Sequence, residues 1–255
     1  MTDAPQPTPG QPASPTAVPA STSIYRHRLA TRVWHWVNAV TIVIMIGSGL
    51  TILNAHPHLY WGEYGANSDH SWFNPPHMPS YLTIPAGYNL AIARRWHLLF
   101  ALVFGFGLLA FMVASLLNRH FQKDLRIRLK ELAPSHLWFD LKEHLAFRFH
   151  DPKHPAAFNI FQKLSYALTI FGLIPAMIVS GLALSPAMTA AWPWLLAVVG
   201  GRASARSVHF IAASGLVVFI IVHLVLVILA GAWPEVKSMV TGWWRVPEDR
   251  AEEAA

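Results

Sequence analysis

Residues 206–231, R-S-V-H-F-I-A-A-S-G-L-V-V-F-I-I-V-H-L-V-L-V-I-L-A-G, decide the fold because they combine a membrane span with two histidines. The apolar run 208–232 is long enough to cross a bilayer, which takes about 20 residues. His209 and His223 are fourteen positions apart, which on a helix is roughly 21 Å and about four turns, so both imidazoles leave nearly the same face. Ionisable side chains inside a span are costly and usually functional. The stretch therefore predicts one helix that presents a ligand near each side of the membrane.

The composition of the whole chain indicates a membrane protein. Of its 255 residues, 54% are hydrophobic and only 13% are charged, which is too apolar for an ordinary soluble domain of this length. The lack of cysteine excludes disulfides, cysteine-ligated iron–sulfur clusters and the covalent attachment of c-type haem. The formal charge of +6 is typical of basic residues that set membrane topology, so we expect no nucleic-acid partner.

Four apolar runs have the length of a membrane span and predict an all-α fold, an integral membrane four-helix bundle within residues 24–246. Pro175 lies inside the third run and predicts a kink there. The proline-rich residues 1–23 and the residues 247–255 are expected to be disordered tails, and no internal sequence repeat is evident. The four runs are 33–53, 92–117, 164–184 and 208–232.

The distribution of basic residues predicts the orientation of the bundle. Fifteen of the 19 Lys and Arg residues lie before the first span, between the second and third spans, or after the fourth. The positive-inside rule therefore places both termini and the loop 118–163 in the cytoplasm. Residues 54–91 contain no Lys or Arg and are expected to form an ordered outer loop. Residues 137–149 favour a helix at the membrane surface or on a soluble partner, and an interfacial anchor is expected from Trp233, Trp243 and Trp244.

This orientation matches the four intramembrane histidines in depth. His35 and His223 fall in the cytoplasmic half, while His97 and His209 open their spans from outside; His27 is the one competitor for His35. Two facing imidazoles without a carboxylate or thiolate suit a b-type haem, whose iron takes one imidazole on each face, whereas zinc needs three or four protein ligands. We therefore predict two haem b groups, held by His35/His223 on the inner side and His97/His209 on the outer side. The alternative is a transporter or scaffold that uses these histidines as proton relays or helix contacts.

Two further sets of residues agree with haem binding, although each has a simpler explanation. The haem propionates need cations near the membrane surface, and five arginines lie close in sequence to the histidines; ordinary snorkelling toward lipid phosphates explains the same positions. Small residues in the spans make room for a macrocycle or simply let helices approach closely. The arginines are Arg32, Arg94, Arg95, Arg202 and Arg206, and the glycines are Gly47, Gly49, Gly105, Gly107, Gly172, Gly181 and Gly215.

Four stretches of the chain resemble the bacterial di-haem cytochrome b family, which includes cytochrome b561 and the b-type subunits of NiFe hydrogenases, formate dehydrogenases and thiosulfate reductases. The resemblance covers roughly residues 24–232 and implies that the fourth helix ligates both haems, with one partner each from the first and second helices. That is the pairing which the topology gives. The stretches are R-V-W-H-W-V-N (32–38), R-R-W-H (94–97), F-N-I-F-Q-K-L-S-Y (158–166) and the H-x13-H of His209 and His223.

The same resemblance implies a quinone site where the middle loop enters the third helix, with Asn159 and Gln162 as polar donors; a helix cap and an interfacial position explain these two residues equally well. Proton-coupled quinone reduction needs a cytoplasmic proton source, and His144, His150 and His154 are candidates. The family also implies a multi-pass protein of the bacterial inner membrane that carries electrons between a periplasmic redox subunit, a molybdenum-containing oxidoreductase or a hydrogenase, and quinone. The alternative is a self-contained quinone oxidoreductase that uses a small diffusible donor.

Overall fold

The computed structural model describes residues 23–66, 68–117, 160–229 and 231–245, together with the isolated helical positions Trp138 and Lys142. Within these residues, four helices are long and apolar enough to cross a membrane, and their mean hydropathies lie between 1.9 and 2.9. The prediction of an all-α membrane bundle with four spans is therefore confirmed. The predicted tails, most of the surface helix 137–149 and the loop histidines at 144, 150 and 154 lie outside the described residues.

The four long helices cover most of the predicted spans, and short helices connect or follow them. The first three predicted spans lie within helical segments, whereas the fourth helix begins six residues before the predicted span and ends three residues earlier. The helices are α1 (Leu29–Ala55), α2 (Leu90–Leu117), α3 (Ile160–Ala167), a π-helical stretch (Leu168–Leu173), α4 (Ile174–Leu184), α5 (Pro186–Ala191), α6 (Trp194–Val199), α7 (Arg202–Leu229) and α8 (Ala232–Thr241).

The third span departs from α-helical geometry where Pro175 predicted an irregularity. Proline has no N–H to donate to the carbonyl four residues earlier, and its ring clashes with that carbonyl in a regular helix. The chain widens into the π-helical stretch directly before Pro175 and returns to an α-helix in α4. The π turn therefore accommodates the proline without interrupting the span.

Small residues allow the helices to pack in two pairs, α1 with α2 and α4 with α7. The Trp34 ring fills the space beside Gly107, where an added Cβ would overlap it, and Leu173 Cδ2 lies 2.9 Å from the position of a Cβ at Gly215. Long apolar side chains point outward instead, as expected in lipid, which is as apolar as they are. Small and hydroxyl-bearing residues fill the buried positions of the spans, among them Thr41, Gly47, Ser48, Thr51, Ser180, Ala183, Ala205 and Ala212.

The two ends of the described chain meet at one end of the bundle. Strands β1 (Ser23–Tyr25) and β2 (Trp243–Arg245) pair in antiparallel fashion, with Tyr25 opposite Trp243. About two turns beyond the start of α1, Trp36 Nε1 donates a hydrogen bond to the Met239 carbonyl of α8 at 3.4 Å. Both ends therefore lie on the same side of the bundle, as four spans require.

An ion pair strengthens this junction of the chain ends. Arg26 contacts Glu235 of α8 at 3.2 Å, and the Arg26 guanidinium lies over the Trp244 ring at 5.3 Å. Trp244 is only 5% exposed, whereas Trp233 and Trp243 are 76% and 54% exposed. The expectation that Trp244 anchors the chain at the membrane interface is therefore wrong, because its ring packs inside the junction; the other two tryptophans keep the exposure that such an anchor needs.

The loop between α1 and α2 is folded over the opposite end of the bundle, as its composition predicted. The backbone N–H of Ile84 donates to the Gly47 carbonyl of α1 at 3.0 Å. On the other side, Trp72 Nε1 donates to Ser207 Oγ of α7 at 2.9 Å, and that hydroxyl donates to the Tyr60 carbonyl at 2.6 Å. The loop is thus tied to both helix pairs and covers the end at which α7 begins.

Candidate haem-binding sites

The structure brings His35 and His223 together near the junction of the chain ends. Their ring centres, on α1 and α7, are 6.4 Å apart with ring planes inclined by 59°. The Phe219 ring, one turn before His223, stacks beside its imidazole at 6.2 Å. His27 lies in the turn before α1, where burial first and the Arg26 charge second lower its pKa. The residue opposite His223 is therefore His35 and not His27.

The structure also brings His97 and His209 together, at the end of the bundle that the outer loop covers. Their ring centres, on α2 and α7, are 6.2 Å apart with planes inclined by 67°. The two pairs are separated along α7 by roughly 21 Å, the rise of fourteen helical residues. Both histidine pairs therefore bridge the same two helix pairs at different depths.

The spacing within each pair fits a metal ion between the rings. An imidazole–metal bond is about 2.0 Å long and the ring centre lies about 1.1 Å behind the donor nitrogen, so two imidazoles that bound one iron from opposite sides would have centres roughly 6.2 Å apart. The observed 6.4 and 6.2 Å agree with this distance. In the described part of the chain no group of three or more His, Cys, Asp or Glu is placed to hold a metal, which argues against zinc. Each pair fits the axial ligation of a b-type haem.

The packing of the helices leaves room between the two helix pairs. The backbone of α1 runs close to that of α2, and α4 close to α7, whereas the described backbones of different helix pairs approach each other at few points. The histidine pairs lie in the region between them. A macrocycle needs such a separation, because a haem between two imidazoles keeps the helices that carry them apart.

Two glycines allow the outer imidazoles to approach the neighbouring helices. A Cβ at Gly49 would lie 3.5 Å from Cε1 of His97, and one at Gly181 would lie 3.3 Å from Cε1 of His209. Other span glycines serve helix or loop packing instead, as at positions 47, 107 and 215. Close approach of neighbouring elements therefore explains these glycines, and room for a macrocycle stays a prediction.

Two serines hold the outer histidine pair, and sequence reasoning missed both. Ser48 Oγ lies 3.0 Å from Nδ1 of His97, and Ser180 Oγ lies 3.0 Å from Nδ1 of His209. Both serines are fully buried. A short repeat in the sequence marks both serines: M-I-G-S-G-L at 45–50 and M-I-V-S-G-L at 177–182. The expectation that the chain has no internal repeat is therefore wrong for these two segments.

Three polar atoms on successive turns of α1 are buried without a hydrogen-bond partner. They are Nε of Arg32, Nδ1 of His35 and Oδ1 of Asn38. Buried polar atoms are nearly always paired in folded proteins, so these positions mark a face of α1 whose polar atoms have no partner among the described residues. Arg32 was predicted as a propionate partner, and its Nη1 also donates to the Thr241 carbonyl at 3.1 Å. Asn38 was not singled out, although it ends the motif R-V-W-H-W-V-N.

Two of the predicted outer arginines converge on His56, which follows α1. Arg206 donates a hydrogen bond to the His56 carbonyl. The pKa of the His56 imidazole is lowered by partial burial and then by the positive charges of Arg206 and Arg94. These cations form a positive group at the outer end of the bundle, which is the charge that carboxylates such as haem propionates need.

The remaining predicted residues are less informative. Arg202 Nη2 lies 3.4 Å from Thr189 Oγ1, and Arg95 is exposed on the first turns of α2. Asn159 lies outside the described residues, and the side chain of Gln162 is likewise outside them. The quinone site stays a prediction.

Comparison with known proteins identifies what the chain is similar to. A family profile described as prokaryotic cytochrome b561 matches residues 26–242. A protein of Azospira oryzae named as protein-methionine-sulfoxide reductase subunit YedZ1 is 31% identical over 78% of this chain and 87% of its own length. Proteins named as Ni/Fe-hydrogenase b-type cytochrome subunits are 22% identical in Rhodobacter capsulatus, over 91% of this chain and 85% of theirs, and 24% identical in Cupriavidus necator, over 86% of each. No solved structure matches.

The electrostatics around His56 give a testable order of effects. Arg206→Gln is expected to raise the pKa of His56 most, Arg94→Gln less, and Arg95→Gln not at all, because only the first two charges act on this imidazole. No variant brings the pKa fully to 6.5, since burial is the largest cause. NMR titration of histidine-labelled protein in detergent, with His56→Gln to assign the signal, measures these values. An equal effect of all three variants would contradict the convergence of Arg94 and Arg206.

Proposed function

The chain belongs to the prokaryotic cytochrome b561 family, and from this premise we propose that it binds two b-type haems and carries electrons between a periplasmic redox subunit and the membrane quinone pool. The family and the four spans make it a multi-pass bacterial membrane protein for haem-based electron transfer. A b-type haem, when bound, supplies one-electron redox chemistry. The number of haems, the partner and the quinone are what we propose beyond this.

The observation that carries the proposal is the spacing of the two histidine pairs. His209 and His223 share α7, and each faces one imidazole of the α1/α2 pair at the distance expected across one iron. Two such sites at different depths give one chain a redox centre near each membrane surface. A transporter or scaffold would not require both pairs to have this spacing, which is longer than hydrogen-bonded contact.

The orientation of the path across the membrane follows from the basic residues. The positive-inside rule puts the chain ends in the cytoplasm, so the pair His97/His209 lies near the periplasm and the pair His35/His223 near the cytoplasm. Electrons from a periplasmic donor therefore enter at the outer pair and leave from the inner pair to quinone. We assign the quinone contact to Asn159 and Gln162, because their amide groups can donate hydrogen bonds to a quinone carbonyl. The protons that quinone reduction consumes are taken from the cytoplasmic side.

The partner is proposed to be a periplasmic oxidoreductase. All three relatives are named as subunits of redox enzymes, one a reductase and two hydrogenases. The outer loop also presents large aromatic side chains to solvent: Trp61 is 53%, Tyr64 87% and Tyr81 82% exposed. Aromatic residues are enriched at protein interfaces, so this face suits a molybdenum-containing oxidoreductase or a hydrogenase subunit.

Replacing the inner ligand separates the two halves of the electron path. His223→Ala is expected to remove one of two haems, abolish quinone reduction and leave the outer haem reducible, whereas His209→Ala removes the other haem. His27→Ala, which removes the competitor for His35, should retain both. Haem content per chain and reduced-minus-oxidised spectra measure this. Two haems in His223→Ala, or loss of both in His27→Ala, would contradict the assignment.

The orientation is testable because the chain has no native cysteine. Single substitutions at two exposed positions, Tyr64→Cys in the outer loop and Trp233→Cys in the first turn of α8, give one label site on each side. A membrane-impermeant maleimide added to intact spheroplasts is expected to label Tyr64→Cys only, and to label Trp233→Cys after the membrane is opened. The reverse pattern would invert the direction of the path while leaving the histidine pairs unchanged.

Purification from native membranes distinguishes the partnered protein from the self-contained alternative. We expect a tagged chain to retain a periplasmic redox subunit in fixed stoichiometry after mild detergent extraction. The haems should then be reduced by the substrate of that subunit. A lone polypeptide that reduces quinone with a small diffusible donor at full rate would favour the self-contained alternative.

A further inference from the structure

The serines beside the outer histidines have only one way to bond to them. Ser48 Oγ donates to the Ile44 carbonyl at 2.7 Å, and Ser180 Oγ donates to the Ala176 carbonyl at 2.6 Å. A hydroxyl has a single hydrogen, and in both serines the carbonyl of the preceding turn engages it. The imidazole at 3.0 Å must therefore be the donor, so Nδ1 of each outer histidine carries the proton.

Fixing the proton on Nδ1 leaves the other ring nitrogen, Nε2, with a free lone pair. A ligating histidine commonly donates its second N–H to a neighbouring group, which sets the tautomer, orients the ring and raises the basicity of the ligand. Here each outer imidazole has such a neighbour in a fully buried serine, and His97 and His209 also form hydrogen bonds with the backbone of Met45 and Met177, respectively. Water therefore does not compete for these hydrogen bonds.

The same construction occurs twice in the chain. In each six-residue repeat, 45–50 and 177–182, the serine bonds to Nδ1 and the following glycine lets the ring edge approach to within ordinary contact. One copy lies on α1 and supports the histidine of α2; the other lies on α4 and supports His209 of α7. The two helix pairs thus hold the outer ligands from opposite sides in the same way.

The inner pair differs from the outer pair. Nδ1 of His35 is buried and has no hydrogen-bond partner among the described residues. Among the described residues, Nδ1 of both outer histidines is therefore hydrogen-bonded and Nδ1 of His35 is not, although the ring centres of the two pairs are almost equally far apart.

We propose that Ser48 and Ser180 are positioning residues of the outer haem, which hold the Nδ1–H tautomer of His97 and His209 and keep the midpoint potential of that haem low. The proposal rests on the haem ligation proposed above. A more basic imidazole stabilises ferric over ferrous iron, so the two hydrogen bonds favour the oxidised state at the outer site. An electron that enters there would pass more readily to the inner site, where no described residue forms a hydrogen bond to Nδ1 of His35.

The test is a redox titration of the full-length protein in detergent, followed at the haem absorbance bands. The double variant Ser48→Ala/Ser180→Ala is expected to retain both haems and to shift the outer ferric–ferrous equilibrium about tenfold toward ferrous iron, which for one electron is about 59 mV upward. The inner component should not move. Titration in a His35→Ala background, where only the outer haem remains, assigns the component.

Two further variants separate a hydrogen-bond effect from a packing effect. Ser48→Thr/Ser180→Thr keeps both hydroxyls and should restore the native potential. Thr51→Val removes another buried hydroxyl of α1, which bonds to Gly47 and Ile84 carbonyls rather than to an imidazole, and should leave the potential unchanged. Loss of the outer haem in the alanine variant with recovery in the threonine variant would also support the proposal.

Several results would overturn the proposal. These are an unchanged outer potential in the alanine variant, a shift of the inner component, an equal shift in Thr51→Val, or haem loss in both the alanine and the threonine variants. His97→Ala is measured in parallel. If His97→Ala loses one haem while the serine variants leave the outer midpoint potential unchanged, only the proposed role of the serines is wrong. If His97→Ala keeps both haems, the ligand assignment is wrong, and so is the proposal that rests on it.

Discussion

The structure depends on how four imidazoles are satisfied inside a bundle that offers them few polar partners. Each ring has two nitrogens, and a buried nitrogen without a partner costs free energy. The outer rings of His97 and His209 each have Nδ1 bonded to a serine, and their ring centres lie 6.2 Å apart. In the function proposed above, a haem iron between the rings would bind the second nitrogen of each imidazole.

The packing of the helices follows from this requirement. Long apolar side chains gain nothing by facing inward when the surroundings are lipid, so glycine, serine, threonine and alanine fill the contacts within each helix pair. The described backbones of different helix pairs meet at few points, and we propose that the haems lie between them. The π turn before Pro175 contributes to this packing because it keeps the third span continuous beside α7.

The two ends of the bundle are closed by different devices. At one end the outer loop bonds to α1 and α7 through Ile84 and Trp72 and carries exposed aromatic side chains that suit a redox partner. At the other end the strand pair and the Arg26–Glu235 ion pair join the chain ends beside His35 and His223. Each device fixes the helix ends that carry one histidine pair, so the loop and the termini contribute to the geometry of the two sites.

The sequence by itself determined the class of fold, the four spans and the depth of each histidine, because hydropathy and the distribution of charge are local properties of a membrane helix. It also suggested which histidines share a depth. Only the tertiary structure decided what supports them: Ser48 lies 49 positions from His97 and Ser180 lies 29 positions from His209, and a hydrogen bond between helices leaves no periodic pattern along either one. For the same reason the burial of Trp244 by Arg26 was not predictable, since an interfacial tryptophan and a packed one look alike until the chain ends meet.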